Sequence, residues 1–156
     1  DKFATKDYEV VFVTGNSYYE KIKDIKVKDN IKILPFIYEM PRLMKITDVI
    51  ISRAGASTMS EIMALAIPTI FIPSPYVPNN HQFKNAYDLV SKDAACMLEE
   101  KDLTPDNLIK MIDELLNDKD KYMKIKNNLK KLRITDSADK IYKIIKEMVD
   151  NNGKLN

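Results

Sequence analysis

The stretch RAGASTMSE, from Arg53 to Glu61, gathers the groups in this chain best suited to chemistry: a glycine, small residues, hydroxyls and one carboxylate. Gly55 is one of only three glycines, and a glycine directly after an apolar run marks a turn where a ligand can come close to the backbone. A helix starting there offers N–H groups without intrahelical partners and the positive end of its dipole, which together receive phosphates. RAGAS is neither a dinucleotide fingerprint nor a P-loop, so the turn alone specifies an anion and not which one. Glu61 admits two readings. A carboxylate in the first helical turn can accept both hydroxyls of a ribose, and a nucleoside diphosphate would satisfy acid and turn together. Thr58-Met59-Ser60-Glu61 also fits a capping box, and on pattern alone the cap is the plainer account.

The elements that must position these residues follow from apolar runs and their interruptions. Residues 49–52 and 69–72 are continuous β-branched or apolar runs, expected as strands buried on both faces, as in a parallel sheet covered by helices. Between them, Ile62, Leu65 and Ala66 give a helix its apolar side, and Ile67-Pro68 stops it. The unit is βαβ. Upstream, residues 8–14 predict a buried strand ending at Gly15-Asn16, 18–25 a short helix, and 31–34 a second strand broken by Pro35. A helix through Leu43 and Ile46 follows. Downstream of Pro75, YVPNNHQ is a polar loop rich in turn formers. Residues 83–91 then predict a helix and 95–98 a fifth strand. Strict alternation of β and α points to an α/β fold, a doubly wound parallel sheet. The remainder is helical. Thr104 is an N-cap before Pro105, with Leu108, Ile109, Ile112, Leu115 and Leu116 as the buried stripe. Ile125, Leu129 and Leu132 mark another helix, and Ile141, Ile144, Ile145 and Met148 a last one before a frayed tail at 151–156.

At 156 residues the chain is one domain by size, placed at 1–150. A net charge of +2, from 25 basic and 23 acidic residues, is too balanced to argue for a nucleic-acid partner. No apolar run approaches the roughly eighteen residues of a membrane span, and no signal-peptide pattern is present. The single cysteine, Cys96, excludes an internal disulfide and reads as a buried small hydrophobe beside Ala95, Met97 and Leu98, which suits the cytoplasm. One histidine and one cysteine leave no zinc constellation and no Cys-His pair, so no metal site is expected. Lys119, Lys121, Lys124, Lys126, Lys130 and Lys131 read as a solvated helix face, with anionic lipid headgroups as the alternative partner. His81, taken alone, is an exposed loop histidine. Arg53 fits a phosphate contact or a surface ion pair, and the sequence does not choose.

The run ISRAGASTMSEIMALAIPTIFIPSPYVPNNHQFKNA resembles the carboxy-terminal, donor-binding domain of glycosyltransferase family 28. The resemblance runs from about Glu9 to Leu116 and is most specific between Asp48 and Ala86. It implies a Rossmann-like domain of the two-domain, GT-B class. The implied activity is inverting transfer of N-acetylglucosamine from UDP to lipid I, giving lipid II for peptidoglycan. Residue by residue, it implies that Ile37 and Met40 pack around the uracil and that Glu61 takes the ribose hydroxyls in preference to a cap. Gly55, Ala56, Ser57 and Thr58 would surround the diphosphate. His81 and Gln82, in the loop after Pro75, would reach the sugar hydroxyls, with Asn85 bracing that loop; glutamine is common in the family where this chain has His81. The donor UDP-N-acetylglucosamine is the only small molecule implied, with no further cofactor and no metal.

The implied partners are an amino-terminal acceptor domain of the same enzyme and, through it, the lipid-linked acceptor at the cytoplasmic face of the membrane. The catalytic base is expected in that amino-terminal domain, so no catalytic residue is assigned here. The family's domain also opens with a strand and a GGS-x-GA turn that this chain lacks. In the order 3-2-1-4-5-6 that strand is central, between the strands at 10–14 and 49–52. Its loss leaves a gap or forces those two strands together, so a fragment inactive alone is expected. The alternatives are a separate catalytic subunit or a domain of another UDP-sugar transferase, such as a diacylglycerol glycosyltransferase, and a non-catalytic interaction module. Relatives use UDP-glucose or UDP-galactose, and no residue reads the acetamido group unambiguously.

Overall fold

The computed structural model describes residues 2–152. The apolar runs become short parallel strands, each followed by a helix. β1 (Val10–Val13) pairs in parallel with β2 (Ile31–Leu34), Val10 opposite Ile31 and Val13 opposite Leu34. β3 (Ile50–Ser52), β4 (Thr69–Phe71) and β5 (Cys96–Met97) form a second parallel sheet in that order. The connections are α1 (Asn16–Ile22), α2 (Met40–Lys45), α3 (Ala56–Leu65) and α4 (His81–Val90). Three helices close the chain: α5 (Pro105–Asn117), α6 (Lys119–Leu132) and α7 (Ser137–Asn152). The α/β architecture is as expected, and its strands fall into two separate parallel sheets. The sheet is split, and β1 and β3 each keep one edge without a partner strand among the described residues.

Burial explains which half is better held. β4 is buried throughout, with Ile70 and Phe71 at 0% exposure, beneath Ile62 of α3, Leu89 of α4, Leu115 of α5 and Leu129 of α6. No described residue before Met44 is buried. β1 and β3 therefore depart from the expectation of burial on both faces: Phe12 is 53% exposed and Ile51 40% exposed. A strand lacking one neighbour in the sheet also lacks part of the helical cover that this neighbour would carry. Cys96 is likewise half-buried rather than buried.

Helix ends differ from expectation at three places, the first being α1, which starts at Asn16 and stops at Ile22 where 18–25 is expected. α3 begins at Ala56 with Gly55 as its N-cap, so Thr58 is the third helical residue and the capping box with Glu61 does not form. α4 begins at His81, because Asn79 and Asn80 take left-handed φ of 54° and 52° and turn the chain straight into the helix. His81 and Gln82 therefore lie in a first helical turn and not in the loop. The expected cap of α5 is present, with Thr104 Oγ1 accepting from the Asn107 N–H at 3.1 Å. Of the lysine face on α6, Lys124 pairs with Asp93 and Lys126 lies over the Tyr122 ring. α7 continues through Asn152, into the expected tail; residues 153–156 lie outside the described residues. Its apolar residues Ile141, Ile144, Ile145 and Met148 are all exposed.

Candidate functional site

β3 delivers the chain to the carboxyl edge of the three-stranded sheet, where the Ile72 N–H donates to the Ser52 carbonyl at 2.9 Å. Ala54 is then fully buried, and Gly55 opens α3 in an extended conformation, φ −75° and ψ 143°. Any residue adopts those angles. Nor does packing demand a glycine, since a Cβ there would meet nothing nearer than Thr58 Oγ1 at 4.0 Å. What the missing side chain preserves is open space above the first turn of α3.

That turn has no cap. The first helical bond runs from the Met59 N–H to the Gly55 carbonyl at 2.9 Å, and no side chain accepts from the residues before it. The N–H groups of Ala56, Ser57 and Thr58 are left without helical partners, beside the positive end of the dipole. Glu61 lies one turn further on, on the helix face shared with Ser57 and Thr58. It is exposed and makes no hydrogen bond or ion pair among the described residues. This arrangement offers backbone donors to an anion and, on the same face, a carboxylate to hydroxyl groups.

The start of α4 borders the same sheet edge. The Ser74 N–H donates to Gln82 Oε1 at 2.9 Å, which fixes the amide so that only its NH2 group remains for other partners. His81 Nδ1 donates to the Pro78 carbonyl at 3.0 Å, leaving Nε2 as its free nitrogen. Asn85 Nδ2 donates to the Ala54 carbonyl at 3.1 Å. Asn85 thus braces the glycine turn and not its own loop, contrary to expectation. Ile37 is half-buried after β2, between exposed Phe36 and Tyr38 whose rings meet edge to face at 5.1 Å. Met40 opens α2 and packs against the main core. The structure therefore ties Gly55, Ala56, Ser57, Thr58, Glu61 and Asn85 into one corner, with Gln82 linked to the adjoining loop. Ile37 hangs from the other sheet.

Arg53 is settled in favour of an ion pair, with Nη1 at 2.6 Å from Glu100 Oε2 and 3.1 Å from the Ile72 carbonyl. Glu100 lies 47 positions away, and nothing in its local sequence marks it as a partner. Burial pushes the Cys96 thiol up, which keeps it protonated and unsuited to nucleophilic attack. Among the described residues, no three His, Cys, Asp or Glu side chains gather as a metal site. A shallow groove lined by Asp106, Ile109, Lys110, Asp113, Glu114 and Asn117 runs along α5. Its lining is dominated by the carboxylates of Asp106, Asp113 and Glu114, which repel an anion, and α5 is already capped by Thr104, so the corner at Gly55 is the better candidate although it is open and not a cavity.

Known proteins share both sequence and shape with this chain. At 44% identity over 96% of its length, it is similar to the UDP-N-acetylglucosamine–N-acetylmuramyl-(pentapeptide) pyrophosphoryl-undecaprenol N-acetylglucosamine transferase of Bacillus cytotoxicus. At 45% identity over 96% of its length, it is similar to the corresponding transferase 1 of Bacillus cereus. It spans 42% of the length of each. Its fold is similar to that of Acinetobacter baumannii MurG, with a TM-score of 0.78 at 22% identity, covering 93% of this chain and 43% of that one. The glycosyltransferase VinC in complex with dTDP gives a TM-score of 0.68 at 20% identity, covering 92% of this chain and 36% of that one. The sequence profile of the glycosyltransferase family 28 C-terminal domain matches residues 1–146, and the chain belongs to that family.

Proposed function

We propose that this chain is the donor-binding part of a transferase that moves N-acetylglucosamine from UDP to a lipid-linked acceptor, the step that forms lipid II from lipid I. The observation that carries the reading is the uncapped first turn of α3, its N–H groups open at a glycine and Glu61 free on the same face. Membership of family 28 and the similarity to transferases named for that activity support it. The N–H groups of Ala56, Ser57 and Thr58 receive the diphosphate, Glu61 accepts from the two ribose hydroxyls, and Ile37 and Met40 flank the uracil. The Gln82 NH2 group and His81 Nε2 face the sugar, with Asn85 holding the turn from below.

In the reaction, the acceptor hydroxyl oxygen forms a bond to C1 of the sugar as the bond from C1 to the β-phosphate oxygen breaks. The electron pair leaves with UDP, and oriented N–H groups stabilise the charge arriving on the diphosphate. A base on the amino-terminal part of the enzyme takes the hydroxyl proton, and that part meets the lipid at the membrane surface. No helix among the described residues is long and apolar enough to cross a membrane.

Saturation-transfer NMR with UDP-N-acetylglucosamine tests the site. Transfer to the uracil and ribose protons is expected, and its absence at every concentration tried counts against the pocket. Competition with UDP-glucose and UDP-galactose then ranks the sugars; equal competition by all three would remove N-acetylglucosamine from the proposal while leaving the nucleotide.

A further inference from the structure

Arg53 stands between β3 and the glycine turn, and its side chain reaches along the carboxyl edge of the whole three-stranded sheet. Its Nη1 donates to the Ile72 carbonyl just past β4 and to Glu100 beyond β5. The segment bearing Glu100 is itself fixed to β4, because the Leu98 N–H donates to the Phe71 carbonyl at 2.9 Å. One guanidinium thus joins the ends of β3, β4 and the chain leaving β5. From the other side, Asn85 holds the Ala54 carbonyl. The residue before Gly55 and the residue before that are each anchored by a long-range side-chain contact, while Gly55 and the first turn of α3 carry no such anchor among the described residues.

We propose that Arg53 and Glu100 form a latch that sets the height of the glycine turn over the sheet, and so aims the N–H groups of Ala56, Ser57 and Thr58. Arg53 is a positioning residue and not a phosphate ligand. Its charge is already met by a carboxylate at 2.6 Å. Turning it toward a diphosphate would leave Glu100 unpaired beside two further negative charges. The pair is half exposed, with side-chain exposures of 50% and 29%, so its contribution to global stability is small. Its geometric role is larger: the planar fork serves a carbonyl and a carboxylate at once, which a lysine does less well. This inference rests on the donor-site reading above and specifies how its anion-binding part is held.

The test measures binding of UDP and of uridine to the intact protein carrying Glu100→Gln, Arg53→Lys, both together, or Glu61→Ala. Glu100→Gln keeps an acceptor for Arg53 but removes the charge that holds the guanidinium, and it is expected to weaken UDP about five- to tenfold as the turn loses its aim. Uridine binding stays unchanged and the melting temperature moves by no more than about 2 °C. Arg53→Lys behaves alike, and the double variant is no worse than the weaker single, as for two residues acting as one unit. If Arg53→Lys weakens UDP while Glu100→Gln leaves it unchanged or tighter, Arg53 touches phosphate directly and the latch is wrong. If Glu61→Ala changes neither UDP nor uridine binding, the donor site itself is misplaced. Weakening by Glu61→Ala with a silent Glu100→Gln overturns the latch alone.

Discussion

Gly55 is informative because neither its backbone angles nor its neighbours require a glycine. Gly55→Ala is therefore expected to fold, at a cost under about 1 kcal/mol for alanine at an N-cap. UDP affinity falls at least about tenfold, because the added methyl occupies the space a phosphate needs. Calorimetry on the variant checks it; unchanged affinity would show that nothing approaches the turn. Gln82 separates two roles that one alanine variant would merge. Gln82→Glu keeps an oxygen for the Ser74 N–H but has no NH2 group, so it is expected to bind bare UDP normally and UDP-sugars more weakly. Gln82→Ala loses both, and bare UDP weakens slightly as the loop loosens. Equal losses of UDP in the two variants would put Gln82 at the nucleotide and not at the sugar. Cys96 gives a pH dependence. Burial raises its pKa above the unfolded value, so the folded state holds the thiol proton longer. The stability it contributes is complete below the unfolded thiol's range and is lost as pH rises through the raised value. Alkylation near pH 8.5, the ordinary cysteine range, is expected to be slower than for a thiol peptide; an equal rate would show Cys96 to be freely solvated.

At the scale of elements, the strands were legible and three helix starts, those of α1, α3 and α4, were not. β2 lies where its apolar run and Pro35 place it, and α5 starts where Thr104-Pro105 says it does. Capping logic failed at α3, and turn composition misplaced the start of α4; these two helices border the candidate site. The failure has a physical reason. A capping rule assumes that the first N–H groups find a side-chain partner within the chain, whereas α3 leaves them open. α4 starts early because two asparagines take left-handed angles, which composition marks as a turn without showing where the helix begins. The contrast is measurable by urea denaturation. Thr104→Ala is expected to cost about 1 kcal/mol as a true cap, while Thr58→Ala, whose hydroxyl caps nothing, stays within about 0.5 kcal/mol. Similar costs for both would restore the cap at Thr58. The Arg53 to Glu100 pair and the reach of Asn85 to Ala54 were beyond sequence reading, because both depend on which strands lie side by side.

For the whole molecule, the split sheet divides stability unevenly. β1 and β2 pair with each other and contribute nothing to the main buried cluster. They are tied to it through the preceding segment, where Asn30 Nδ2 donates to the carbonyls of Phe3, Lys6 and Tyr8 and Lys6 pairs with Asp113 of α5. A two-stranded sheet is marginal alone. Amides of β1 and β2 are therefore expected to exchange at least about tenfold faster than those of β4, opening below the global transition. Uniform protection would show the halves to be one cooperative unit. α7 lies at the other extreme, since none of its described side chains is even half-buried. Ending the chain after Arg133 is expected to shift the melting temperature by no more than about 3 °C. A larger fall would reveal packing of α7 on the domain.

The same division bears on how a nucleotide would be discriminated. Ile37 follows the loosely held strand pair, whereas the glycine turn and Glu61 rise from the well-packed one. Choosing among nucleobases then requires the looser half to settle, at an entropic expense that grows with temperature, while choosing between one phosphate and two requires no such settling. Warming should erase the preference for uracil before it erases the preference for a diphosphate.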